Sequence, residues 1–141
     1  MNTNSPRNSL RNSDGQTLVE FALVAPFLVA FLLAIIQFGI AFNNYVTLTD
    51  AARAGARKAV VARFGGGTFD DAKQAVKEAA GSLDQSKLAL PGAIDVSDPS
   101  GMTSGSLVTV TVKYPYTIDI PLLGIPVSSG SLTAVAKERL E

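Results

Sequence analysis

The chain has 141 residues, with 12 basic and 12 acidic side chains and a formal net charge of zero, so it carries no basic footprint for nucleic acid. It contains neither Cys nor His. Disulfides, thiolate metal sites and histidine-based acid–base chemistry are therefore excluded. The length suits one ordinary domain, or a small domain attached to an anchor.

A polar N-terminal stretch contains Arg7 and Arg11, with Asp14 as its only acid. From Phe21 to Phe42 there follow 22 residues without a charge, interrupted only by Pro26, Gln37 and Gly39. As a helix this run spans roughly 33 Å, close to the ~30 Å hydrocarbon core of a bilayer. A buried helix of a soluble protein is rarely apolar on every face for so long. A cleaved secretory signal has a shorter apolar core, of about 7–15 residues, ending at a small-x-small site. This run instead leads into "NNYVTLTDAARAGARKAVVAR", which reads as further helix. A retained membrane anchor is expected, with its basic flank inside and residues 43–141 outside. Pro26, near the start of the run, lacks an N–H and kinks a helix. That defect suits a helix packed beside copies of itself, and equally a kinked lone anchor.

Glu20 stands at the edge of the run, where burial of an unpaired carboxylate is costly and a helix N-terminus favours an acid. A polar, basic leader, then Gly15, then an acid at the fifth place counted from Gln16 resembles the type IV prepilin pattern. More specifically, "GQTLVEFALVAPFLVAFLLAIIQFGIAF" followed by "AARAGARKAVV" resembles the TadE-like family of the tight-adherence (Tad) pilus systems, over about Gly15 to Val61. The ending "SLTAVAKERLE" is similar to family C-termini but less diagnostic. The resemblance implies a minor pilin or pseudopilin cut after Gly15 by a prepilin peptidase. Gln16 then becomes the new N-terminus, and Glu20 helps set helix register by meeting the freed α-amino group of a neighbouring subunit. The departure from the broader pattern is Gln16 itself, which stands where an apolar residue is usual. A terminal Gln can cyclise and lose its amine, which puts the charge pairing in doubt.

Beyond the membrane the helix is expected to continue to about Arg63, where "FGGG" (Phe64–Gly67) breaks it. Leu48, Ala52, Gly55 and Ala59 form a stripe of small or apolar residues, suited to close approach of a sheet. Arg53, Arg57 and Lys58 read as a solvated face in preference to a lipid-headgroup site, and Asp50 is placed to pair with Arg53. "TFDDAKQAVKEAAGSL" reads as a second helix, with Thr68 and Asp71 as a capping box and Phe69, Ala72, Val76, Ala79 and Leu83 on one face.

The period then changes. "LVTVTVKYPYTIDI" alternates strictly, with Val108, Val110, Val112, Tyr114, Tyr116, Ile118 and Ile120 on one face of a long strand. Pro115 requires an edge or a bulge there. Ile94 and Val96 mark a shorter strand before it, and "SLTAVAKERL" a third, although its Ala, Lys and Glu also suit a helix. "PLLGIP" (Pro121–Pro126) reads as a turn bounded by prolines. Its Leu122, Leu123 and Ile125 form either a subunit contact or a loop tucked over the sheet edge.

The expected fold is α+β: a cytoplasmic leader over 1–15, a transmembrane and extended helix over 16–63, and a small outer domain with a short helix and an antiparallel sheet over 64–141. No catalytic set, metal site or cofactor is expected. "RFGGGTF" lacks the Lys-Ser/Thr of a phosphate loop, and Asp95 and Asp98 match no calcium-loop spacing. The chain reads as a substrate of enzymes. Its expected partners are a prepilin peptidase, other pilins or pseudopilins, and the Tad assembly machinery, within the cytoplasmic membrane or in an extracellular filament as a homo- or hetero-oligomer. The alternatives are a membrane-retained assembly factor, the main subunit of such a filament, or an unprocessed single-pass anchor whose outer domain binds an envelope partner.

Overall fold

A computed structural model describes residues 10–65, 68–97, 105–120 and 125–140. The first element, α1 (Leu10–Gly65), is a single helix with Pro26 inside it. It runs past the expected end near Arg63, since Phe64 and Gly65 are still helical. A glycine in the final turn weakens a helix by only about 1 kcal/mol and does not by itself stop it. Two compact units are distinguished along the chain, one ending at Gln37 and the next beginning at Phe38.

In the second unit, two short helices and three strands follow: α2 (Phe69–Ala79), α3 (Gln85–Leu88), β1 (Ile94–Ser97), β2 (Leu107–Ile120) and β3 (Ile125–Arg139). The sheet is antiparallel in the order β1-β2-β3. The fold is α+β, as the change of hydrophobic period implies.

The start of α2 is set by its sequence. The Asp71 carboxylate accepts the Thr68 backbone N–H at 2.8 Å, and Asp70 and Asp71 both lie in the positive first turn. Ala72 and Val76 are fully buried, and the inward face continues with Ala80, four residues on, and Leu83, three further. Ala79, expected on this face, is exposed. It ends the helix, and Ala80 occupies the inward position as the C-cap, donating its N–H to the Val76 carbonyl at 2.9 Å.

The helical turn α3 was not foreseen. Its N-cap Asp84 accepts from the Ser86 hydroxyl at 2.6 Å and the Ser86 backbone N–H at 3.0 Å. These bonds, the hydroxyl foremost, hold the Asp84 carboxyl below its ordinary value of 3.8. A lowered folded-state value means that the cap stabilises fully above the ordinary carboxylate range and is lost as pH falls through the folded value. The stability difference between the parent and Asp84→Ala is therefore expected to be constant near neutrality and to close below about pH 4. Unfolding midpoints measured across an acid titration check this, and a gap unchanged down to pH 2 would contradict it.

Strand β2 supplies the centre of the sheet. Val108, Val110, Val112 and Tyr114 point inward and are buried, while Thr109, Thr111, Lys113 and Thr117 alternate outward. β1 pairs with β2 only over Thr109–Val112, and the Lys113 N–H donates to the Ala93 carbonyl at 2.7 Å just beyond. Pro115, two residues on, faces the same side, where β1 has ended. Its missing donor thus falls on an open edge while β3 still pairs on the other side, at Ser131. β3 is longer than "SLTAVAKERL" and takes in Ile125 and Pro126, which the sequence assigned to a proline-bounded turn. A register shift between Ile118 and Asp119 accommodates this start.

The core lies where α1, α2 and the sheet meet. From α1 it takes Leu48, Ala51, Ala52, Ala56 and Ala59, all at most 1% exposed. Val110 and Val112 sit opposite Ala136 and Ala134 of β3, so branched side chains on one strand meet small ones on its neighbour. At one end, Leu140 is fully buried, with backbone bonds of 2.7 and 2.8 Å to Gly105 and Ser106.

Tyr114 ties the sheet to the α2–α3 connection. Its hydroxyl accepts the Asp84 N–H at 3.3 Å, and Lys87 Nζ lies 5.3 Å from its ring centroid. Tyr114→Phe is expected to lower unfolding free energy by about 1 kcal/mol, because a half-buried backbone donor loses its acceptor. Denaturant unfolding measures the change, and an unaltered midpoint would show that water replaces the bond.

Candidate functional site: the N-terminal end of the long helix

The predicted processing and register residues all fall on α1. Gly15 is exposed, and a Cβ built on it meets nothing within 4 Å. Its backbone is helical, so the fold itself sets no demand for glycine there. Gln16 and Glu20 lie one turn apart on the same face, and the Gln16 side-chain amide donates to Glu20 Oε1 at 2.9 Å. The reading from sequence missed this pair, although its i,i+4 spacing announces it. Pro26 lies six residues beyond Glu20, inside the helix.

Past Glu20 the helix presents apolar side chains on all sides. Phe21, Phe27, Phe31 and Phe38 are each more than 60% exposed, as are Leu18 and Leu23. The stretch Gly15–Ala62 is long and apolar enough to cross a membrane, and none of its most apolar window is buried against the rest of the chain. A soluble core helix would have that surface covered by its own fold. Among the described residues none covers it, and a membrane anchor fits.

The far end of α1 has a different character. Leu48 to Ala59 face the core, while Arg53, Arg57 and Lys58 are exposed. Arg53 pairs with Asp50 at 3.6 Å, with both side chains about two-thirds exposed. Such a pair stabilises by only a few tenths of a kcal/mol. These residues form an exposed face.

Leu122 and Leu123 lie outside the described residues, and Ile125 opens β3. Asp95 is exposed on β1, and Asp98 lies outside the described residues. No group of three or more acidic side chains able to hold a metal ion occurs among the described residues.

The family model described as TadE-like protein matches residues 15–57. The match opens on Gly15 and ends on the exposed Arg57, within α1. No curated protein and no solved structure matches the chain. Over residues 15–57, which hold the apolar run, the acid at its edge and the small-residue stripe as far as Gly55, the chain is similar to the TadE-like family.

Proposed function

We propose that this chain is a minor pilin or pseudopilin of a Tad-type pilus, trimmed after Gly15 by a prepilin peptidase. The observation that carries the reading is the TadE-like match beginning at Gly15, on a helix whose apolar surface no described residue covers. In this reading residues 1–15 are a cytoplasmic leader, residues 16–63 an anchor and extended helix, and residues 64–141 the outer domain. The chain sits in the cytoplasmic membrane with its N-terminus inside, and neighbouring pilin helices cover the apolar surface when it enters a filament. Its work is packing and register, with Glu20 compensated by the α-amino group of an adjacent subunit. The chain is processed by an enzyme and catalyses nothing itself.

Intact masses of the chain from membranes and from material sheared off the cell surface test this. A chain starting at Gln16 in the sheared fraction is the expected result. The trimmed chain confined to membranes would make it an assembly factor. Retention of residues 1–15 in both fractions would overturn the proposal and leave a simple anchor.

A further inference from the structure

We propose that Glu20 restrains Gln16 from cyclising once Gln16 is the first residue, so that the mature chain keeps a charged α-amino group. The inference rests on trimming after Gly15. An N-terminal glutamine closes on itself when its α-nitrogen attacks Cδ. The new C–N bond forms, the Cδ–Nε2 bond breaks, and ammonia leaves. A neutral lactam then replaces both the amine and the side-chain amide, and no cation remains at the terminus.

Closure requires the side chain to curl back over its own nitrogen. The structure shows the amide committed elsewhere, since Gln16 Nε2 donates to Glu20 Oε1 at 2.9 Å, one helical turn toward the C-terminus. An amide held there does not present Cδ to the nitrogen of residue 16, so the two arrangements exclude each other. Side-chain pairs at this spacing bias an exposed helix by about twofold in water. The bias grows where apolar neighbours exclude water, because a bond to a carboxylate strengthens in a low dielectric. Glu20 is thus a positioning residue for Gln16, and it preserves the amine that an acid at the edge of an apolar helix needs for compensation.

The test uses the full chain, recovered from membranes as the parent, Glu20→Ala and Glu20→Gln forms and held at neutral pH. The N-terminal peptide mass is followed for loss of one ammonia. The parent and Glu20→Gln, which keeps a carbonyl acceptor at the same reach, are expected to retain the amine. Glu20→Ala is expected to cyclise at least about twofold faster. A parent that is trimmed but already cyclised would overturn the inference alone, as would a Glu20→Ala chain that cyclises at the parent's rate. Chains that still carry residues 1–15 would overturn the processing reading, and the inference with it.

Discussion

Replacing Gly55 with valine is expected to lower the stability of the unit that begins at Phe38 by about 3 kcal/mol or more. Gly55 lies on the inward stripe of α1. A Cβ there overlaps Val76 Cγ2 and comes within 3.3 Å of the Ala72 carbonyl oxygen and 3.5 Å of Val110 Cγ1. α2 and the sheet therefore both approach the helix at this one position. The obstacle does not move aside easily. Val76 is fully buried, and a β-branched side chain on a helix holds essentially one χ1 rotamer. Ala72 presents backbone. Gly55→Ala recovers about 1 kcal/mol of helix propensity against a similar or larger packing cost, so its effect is smaller. Valine adds two methyl groups and no such recovery. For a unit of this size the loss corresponds to a midpoint lower by on the order of 10–20 °C. Thermal unfolding followed by circular dichroism, with the full chain in detergent, measures it. Gly39→Ala is the control, since a Cβ there meets nothing within 4 Å. A Gly55→Val chain that melts with the parent would show that helix and sheet do not meet this closely.

Gly15→Leu is expected to abolish trimming, and Glu20→Ala to leave trimming intact while filament assembly fails. The structure makes the first change informative, because Gly15 has open space around it and a side chain there collides with nothing. Leucine also favours the helix by close to 1 kcal/mol over glycine. Lost processing would therefore report recognition of the glycine and not a damaged fold. Glu20 is exposed and accepts from Gln16 one turn away, so its removal is likewise expected to leave the second unit untouched. Immunoblots for chain length, together with the amount of chain in sheared surface material, separate the two effects. A plain anchor tolerates both changes, and that outcome would overturn the pilin reading.

Much of the fold was legible because local rules and the final packing agree. The alternation of Val108, Val110, Val112 and Tyr114 places one face of β2 in the core, and the structure buries all four. The small stripe of α1, the Asp71 arm of the cap at Thr68 and the Asp50–Arg53 pair follow from spacing along a helix. Ala79 failed because helix ends obey cap geometry, and a shift of one residue moves the inward position to Ala80. The α3 turn escaped because four residues carry no period. It exists through Asp84, Ser86 and the Tyr114 hydroxyl, the last of which arrives from thirty residues away. β3 outran its expected start because hydrogen bonds to β2, and not its Ser- and Gly-rich composition, hold Ile125–Ser129 extended.

The candidate site divides the same way. The apolar run was readable from residue types and their order alone, since it depends on transfer from water to lipid. The roles proposed for Gly15 and Glu20 in processing and assembly depend on other chains, which no intrachain contact encodes. By itself the sequence determined that α1 is apolar on every side from Phe21 to Phe42 and small on one side from Leu48 to Ala59, because side-chain chemistry and the 3.6-residue repeat suffice for both. Only the tertiary structure decided that Gly55 is the point where two elements converge. It likewise decided that Pro115 faces the open side of β2, because both depend on contacts between residues distant in the chain.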